Sequence, residues 1–261
     1  MYSTTLTVAD LESAGIRAET LASAGTANKP RTQAPQGVII HSPGITFATR
    51  AFDRAQQALG RRPSPAEFDM VAARSFDALT YQPNYLIGTS GKVYQLDLDC
   101  RRAQHSGMLA SDCPAGNVYE TRQWREWAHP LGGAGWVRHG RPGDRVYDWW
   151  IAAFPGADGP MQVFPWGRYP NNAVGVDVLP DPANHGEFNA AQRSSYLALV
   201  RLLAQAHNFK IGATTVTTHS FASPLERGSV MRSGKVIGIH WDPPADKGWD
   251  HADNLAALEG T

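Results

Sequence analysis

Two histidines stand at the ends of short runs of this sequence that are typical of β-strands. His41 closes the run GVIIH, whose β-branched residues show no polar alternation, as is typical of a strand covered on both faces. His219 closes the run ATTVTTH in the same way. One such histidine taken alone is more commonly a core residue bonded to a backbone carbonyl. Two of them, on strands whose ends can lie side by side, favour a shared metal ion.

A catalytic zinc ion takes three protein ligands and keeps one open position, so a third ligand is required. Asp242 in GIHWDPP is the best candidate, because it follows the apolar run KVIGIH and precedes two prolines that would hold its loop rigid. A single cysteine, Cys100 or Cys113, is an alternative as one ligand. The two cysteines do not form a C-x-x-C motif, which excludes a four-thiolate zinc site, and the sequence leaves open whether they pair.

The composition limits the class of protein to which these residues belong. With 261 residues, 42% of them hydrophobic, the chain can bury the core of one large domain. Lys and Arg together number 24, as do Asp and Glu, so the formal charge is zero and no basic block indicates binding to nucleic acid or to an anionic membrane. No apolar run approaches the ~20 residues of a membrane span, and the start lacks the basic and apolar regions of a secretory signal. We expect a soluble protein that is not exported by the Sec route, with no nucleic-acid partner and no membrane insertion.

Local patterns predict the elements that must position these residues. Residues 1–36 are rich in Ala, Ser and Thr and end in a polar linker with proline, so we expect an N-terminal extension followed by an ordered domain at residues 37–261. Ser64, Pro65 and Glu67 have the spacing of a capping box with proline at the first helical position, which predicts a helix start. The other patterns predict helices at 49–59 and 189–207 and strands at 85–87, 92–96 and 173–178, of which the first two strands form a hairpin.

A long segment at about 108–171 lacks either periodicity and is rich in tryptophan. It contains six of the eight tryptophans of the chain: Trp124, Trp127, Trp136, Trp149, Trp150 and Trp166. Such an insertion can fold back as a separate apolar cluster that covers the sheet. It can equally form an aromatic wall for a sugar or peptide ligand. The sequence does not separate these two interpretations.

Six motifs of the chain, taken in order, resemble a known family. VIIHSPG, NYLIGTSGKVYQLDLDCRRAQHSG, NNAVGVDVLP, FNAAQRSSYLALVRLLAQ, TTHS and HWDPP are similar to motifs of the zinc-dependent N-acetylmuramoyl-L-alanine amidases of type 2, which are related to the peptidoglycan recognition proteins. The resemblance extends over nearly all of residues 37–250. It implies an α/β fold with one central mixed β-sheet flanked by helices. It also implies a Zn²⁺ ion held by two histidines and an Asp or Cys, here His41, His219 and Asp242.

The resemblance implies catalytic roles for two further residues, and both depart from the family. Asp177 in VGVDV occupies the position of the family's catalytic glutamate, where a carboxylate would take the proton of the attacking water. The alternative is that Asp177 only hydrogen-bonds a ligand histidine. His240 stands where many relatives carry a lysine, and it would stabilise the oxyanion. Alternatively His240 is itself a ligand, with Asp242 behind it.

Spacing is a third departure from the family. The interval from His219 to Asp242 is longer than the family pattern, so residues 225–235 would form an inserted loop or hairpin. Three residues are candidates for contact with the substrate by the same resemblance. His105 matches a histidine near the family's substrate groove, Asn84 lies beside the hairpin strand, and Trp241 lies between His240 and Asp242. No catalytic role is carried over to Asn84.

The expected reaction is hydrolysis of the amide between N-acetylmuramic acid and L-alanine in peptidoglycan or in soluble muropeptides. One alternative is a peptidoglycan-binding module that has lost catalysis, and another is a zinc peptidase that acts on a different cell-wall amide. Without a Sec signal, such an enzyme would be a phage lysin released through a holin, an antibacterial effector injected by a delivery apparatus and paired with an immunity protein, or a cytoplasmic recycling enzyme. The composition of residues 1–36 favours docking to a delivery apparatus. The histidines outside these motifs are expected at the surface: His129, His139, His185, His207 and His251.

Overall fold

The computed structural model describes residues 1–21, 29–76, 82–103, 173–212, 215–218, 230–232, 235–238, 243 and 247–260. Residues 230–232 and 235–238 are described by their backbone alone. The tryptophan-rich segment at 108–171 lies outside these ranges, so both interpretations of it stay predictions.

A mixed six-stranded sheet forms the centre of the described structure, which confirms the predicted α/β class. Its strands are β1 (Ala18–Thr20), β2 (Gly37–His41), β3 (Tyr85–Ile87), β4 (Val93–Gln95), β5 (Ala173–Val178) and β6 (Val216–Thr218). They lie side by side in the order β1-β4-β3-β5-β2-β6. The β3–β4 hairpin is antiparallel and all other pairs are parallel. The carboxyl ends of β2, β3, β5 and β6 therefore meet at one end of the sheet.

Five α-helices of the described ranges accompany the sheet, and each face of the sheet has its own apolar cluster. The helices are α1 (Val8–Ser13), α2 (Ile45–Leu59), α3 (Pro65–Ser75), α4 (Ala190–His207) and α5 (His251–Glu259). One face of β2, β5 and β6 packs against α4 and α5, and the buried residues there include Val38, Val176, Val216, Tyr196, Leu199 and Leu258. The other face packs against α2 and α3 through Ala48, Ala51, Phe68, Ala72, Leu86 and Leu179. Burial on both faces explains why β2 and β5 read as continuous apolar runs.

Helix starts follow the capping chemistry in the sequence. Ser64 caps α3 in the predicted capping box with Glu67, and Asn189 caps α4 in a similar box with Gln192. Helix α2 begins at residue 45 and not at 49 as predicted. Gly44 has φ 81° and makes the turn from β2 into the helix within three residues, a conformation that favours glycine. The sequence pattern predicted a longer loop between β2 and this helix.

The N-terminal segment differs from its prediction as an extension that precedes the ordered domain. Strand β1 pairs in parallel with β4, so it extends the sheet at its edge. Leu6, Leu11 and Ile16 are buried in the cluster that α4 covers. These apolar residues are too few and too widely spaced to give a periodic pattern, and the polar residues around them dominate the composition. Residues 1–21 are thus part of the folded unit. Because their apolar residues are used in its core, the composition of the segment is not an argument for docking to a delivery apparatus.

The predicted hairpin between His219 and Asp242 is present in the backbone. Strands β7 (Val230–Arg232) and β8 (Lys235–Gly238) pair antiparallel as a separate two-stranded sheet, with an irregularity between Val230 and Met231. This hairpin accounts for the long interval between the two motifs. Among the helices of the described ranges, none has the length and hydropathy that a membrane crossing requires.

Candidate functional site

The candidate site centres on a buried pair formed by His41 and Asp177. His41 is the last residue of β2, and it lies in register with Asp177 on the neighbouring parallel strand β5. The Nδ1 atom of His41 is 3.1 Å from Oδ1 of Asp177. The Asp177 side chain is 1% exposed and that of His41 is 11% exposed. The carboxylate is therefore enclosed, and the imidazole is the member of the pair that keeps some contact with solvent.

Strand register places the pair on the face of the sheet that α2 and α3 cover. Side chains in register on neighbouring strands point to the same face, and Asp177 is also in register with Leu86 on β3. Leu86 belongs to the apolar cluster that packs against α2 and α3. The chain leaves His41 through a short turn and enters α2 at Ile45. The site thus lies where the end of the sheet meets the start of a helix.

The end of β5 is fixed by hydrogen bonds on both sides. The Leu179 N–H donates to the carbonyl of Ile87 on β3 at 3.0 Å. The side-chain amide of Gln192, which is fully buried on α4, donates to the carbonyl of Leu179 at 2.8 Å. These bonds hold the backbone two residues beyond Asp177, which restricts the movement of its carboxylate.

Strand β6 flanks β2 on the side away from β5. Thr218, its last residue, is in register with Ile40, and Thr217 is in register with Ile39. His219 follows Thr218 in the sequence but lies outside the described residues. The structure therefore locates the strand that precedes His219 and not its imidazole.

Most of the other predicted site residues also lie outside the described residues, namely His105, His240, Trp241 and Asp242. Their roles stay predictions. Within the described ranges, no three or more His, Cys, Asp or Glu side chains come together in a way that could hold a metal ion. His41 and Asp177 are the two predicted catalytic or ligand residues that the described structure brings into contact.

Asn84 has a structural role, which corrects its prediction as a substrate contact. Its side chain is fully buried. The Nδ2 group donates to the carbonyls of Leu98 and Arg101 at 2.9 and 3.3 Å, and Oδ1 accepts from the Gly175 N–H at 3.0 Å. Because these backbone groups use both ends of the amide, Asn84 tethers the loop after β4 to β5 and has no polar atom to offer to a substrate.

Cys100 is a free thiol, and its contacts place it away from His41. The Arg31 N–H donates to the Cys100 carbonyl at 2.7 Å, and the Arg31 guanidinium donates to the carbonyl of Ala173 at 2.5 Å. Ala173 begins β5, four residues or about 13 Å of strand before Asp177. Burial raises the pKa of the Cys100 thiol. These contacts link Cys100 to the start of β5, Cys113 lies outside the described residues, and a cysteine ligand stays a prediction.

A second histidine–aspartate pair, which the sequence patterns did not predict, is formed by His207 and Asp99. Nε2 of His207 is 3.2 Å from Oδ2 of Asp99, and neither side chain is exposed. The prediction of a surface position for His207 is thus wrong. A signal was available, because His207 continues the apolar stripe of α4 at a spacing of four residues from Leu203. Nothing in the local sequence marks Asp99 as its partner.

The chain was also compared with known proteins. No protein-family model and no curated protein matches it. Solved structures do match. The chain is similar to a selenomethionine derivative of AmpD, with 14% identity and a TM-score of 0.43 over 93% of this chain and 94% of that one. It is similar to a mutant endolysin from Bacillus subtilis, with 12% identity and a TM-score of 0.42 over 81% of this chain and 88% of that one.

A third similar structure is the endolysin LysCS from Clostridium intestinale, an N-acetylmuramoyl-L-alanine amidase. The identity is 10% and the TM-score 0.38, over 94% of this chain and 96% of the endolysin. At these identities and TM-scores, the function of this chain has to be inferred from its own residues.

Proposed function

We propose that this chain is a zinc-dependent amide hydrolase that cleaves the bond between N-acetylmuramic acid and L-alanine in peptidoglycan. The observation that carries this proposal is the buried contact between His41 and Asp177 at the ends of two neighbouring parallel strands. These residues belong to two of the three parts in which the sequence resembles the type 2 amidases most specifically, VIIHSPG and VGVDV; the third is the hairpin followed by RRAQHSG. Peptidoglycan or its soluble fragments would be the substrate.

The chemistry of His41 fits that of a zinc ligand. Histidines that bind a metal usually donate the N–H of the other ring nitrogen to a carboxylate or a carbonyl. Asp177 occupies the Nδ1 side of His41 in this way, so Nε2 is the nitrogen that would bind the metal. We propose His219 and Asp242 as the other two ligands. Strand β6 ends beside β2 with Thr218 in register with Ile40, and His219 is the next residue in the sequence.

Other residues are proposed to stabilise the charge that develops during the reaction and to contact the substrate. Zinc, when bound, supplies Lewis-acid activation of water and of the amide carbonyl. His240 would donate a hydrogen bond to the carbonyl oxygen as it gains negative charge, and the alternative role for His240 is that of a ligand in place of Asp242. His105 and Trp241 are proposed to contact the substrate. The leaving group is the amine of L-alanine, which separates the stem peptide from the glycan.

The test combines metal content with the chemistry of the products. Zinc per chain would be measured for the wild-type protein and for His41→Ala, Asp242→Ala and His240→Ala, with His185→Asn as a control. His185 is exposed and has φ 53°, a conformation that asparagine adopts readily. Each protein would then be incubated with purified cell wall, and the new amino termini identified.

We expect one zinc per wild-type chain, lost together with cleavage in His41→Ala and Asp242→Ala, and new amino termini that are all alanine. His240→Ala should keep the metal and lose turnover, whereas loss of the metal would make His240 the ligand. Zinc without cleavage would indicate a binding module. Termini other than alanine would indicate a peptidase, and a wild-type protein without zinc would refute the proposal.

A further inference from the structure

Asp177 has two conceivable tasks at this site, and its contacts distinguish them. A residue that takes a proton from water must direct its carboxylate to that water. A residue that orients a ligand must direct its carboxylate to the ligand's second ring nitrogen. The Oδ1 atom of Asp177 lies 3.1 Å from Nδ1 of His41, which is the second arrangement.

The short side chain of Asp177 is the right length for its contact with His41. Asp177 and His41 are in register on strands whose backbones lie about 4.8 Å apart, so a short side chain suffices to bridge them. A glutamate, as in the family, is one methylene longer and would carry its carboxylate past Nδ1.

Burial and backbone support hold the contact in place. The Asp177 side chain is 1% exposed, so water competes little with the imidazole N–H for its oxygens. The strand beyond it is held by the bonds from Leu179 to Ile87 and from Gln192 to Leu179. Such support is what a residue needs if it is to fix the orientation of another side chain.

We propose that Asp177 is a positioning residue and not the proton acceptor of the reaction. It accepts the Nδ1–H of His41, fixes the ring in this tautomer, and so directs Nε2 to the metal. This inference rests on the proposed zinc site. It implies that the proton of the attacking water reaches the departing L-alanine amine through a group other than the Asp177 carboxylate.

Asp177→Asn separates the two tasks, because an amide oxygen still accepts a hydrogen bond but does not take up a proton at neutral pH. Zinc affinity, measured by competition with a chelator, should change less than tenfold in Asp177→Asn and fall by about 10–100-fold in Asp177→Ala. The kcat of Asp177→Asn should fall by less than about tenfold. Asp181→Asn is the matched control, since Asp181 caps the turn after β5 and asparagine caps equally well.

A second readout needs neither turnover nor a variant. The ¹⁵N shifts of the His41 ring in the wild-type protein should show Nδ1 protonated without metal and Nε2 bound when zinc or cadmium is added. Metal bound at Nδ1 would overturn the inference. So would an Asp177→Asn protein that keeps its zinc affinity but loses kcat by about 10²–10⁴-fold, as expected for a lost general base.

The inference and the proposed function fail in different ways. A wild-type protein that binds zinc and releases alanine-terminated peptides, but whose Asp177→Asn form is inactive with zinc intact, retains the function and loses the inference. A wild-type protein that binds no zinc loses both.

Discussion

Two histidine–aspartate pairs occupy opposite ends of the same sheet, and they differ in what surrounds them. His41 and Asp177 are 3.1 Å apart, and His207 and Asp99 are 3.2 Å apart. In the first pair the His41 side chain is 11% exposed, whereas in the second neither side chain is exposed. The two pairs thus have similar distances between their partners, but only the imidazole of His41 is accessible to solvent.

The second pair is enclosed by the N-terminal segment. The Tyr2 hydroxyl lies 2.6 Å from Nδ1 of His207, so both ring nitrogens are engaged. Oδ2 of Asp99 also accepts from the Leu6 N–H at 2.9 Å, and the Asp99 N–H donates to the Thr5 hydroxyl at 3.0 Å. The pair therefore ties residues 1–21 to the end of α4. A histidine–aspartate contact alone does not mark a site. His41 is distinguished by its partly exposed side chain and by its position at the end of β2, next to the strand that precedes His219 in the sequence.

The strongest way to sharpen this comparison is to remove each carboxylate. Asp99→Ala should lower the free energy of unfolding by about 3–5 kcal/mol, because it leaves a buried histidine and a backbone N–H without their acceptor. Asp177→Ala should lower the free energy of unfolding by only about 1–2 kcal/mol, because the partly exposed His41 can bond to water in place of the lost carboxylate. Urea unfolding measures both, and zinc content checks that the folded Asp99→Ala protein still binds metal. Equal losses of stability would contradict the distinction between a structural and a functional pair.

His251 at the start of α5 is half-buried and not at the surface as predicted, and it extends the comparison to pH. Burial lowers the pKa of His251 to about 4 from an ordinary value of 6.5, opposed by the charge of Asp250 and by a bond to the Val216 backbone. A lowered histidine pKa means that the unfolded chain binds the proton first, so its contribution is complete above pH 6.5 and is lost as the pH falls towards 4. The loss should reach roughly 3 kcal/mol.

Urea unfolding of the wild-type protein and of His251→Gln between pH 7 and pH 4 measures this contribution. The variant should lose less stability over that range, because glutamine does not titrate. Parallel curves for the two proteins would show that His251 is not responsible for the acid sensitivity.

The smallest expected effect concerns the hydrogen bond between Tyr2 and His207. Tyr2→Phe removes one hydroxyl bonded to His207 and should lower stability by about 1 kcal/mol without changing zinc content or cleavage. Limited proteolysis before residue 21 should become faster in the variant. A loss of cleavage activity in a folded Tyr2→Phe protein would contradict the purely structural role of this end of the sheet.

Elements that depend on neighbouring residues were predictable from the sequence. The strand at 173–178 and the start of α3 at the Ser64 capping box agree with the structure, because alternation, burial and capping act within a few residues. Strand β1 was missed, since three residues with a mixed burial pattern give no periodic signal. The structural role of Asn84 was missed because its partners lie 14, 17 and 91 residues away.

The sequence by itself determined that His41 ends a buried strand, because the β-branched run before it and the proline and glycine after it act locally. It also determined the order of the motifs that resemble the amidases. Only the tertiary structure decided that Asp177, 136 residues away, lies beside His41, and that His207 is closed off by Tyr2 and Asp99. The physical reason is that strand register and helix docking are set by hydrogen bonds and burial between distant segments, which no local pattern records.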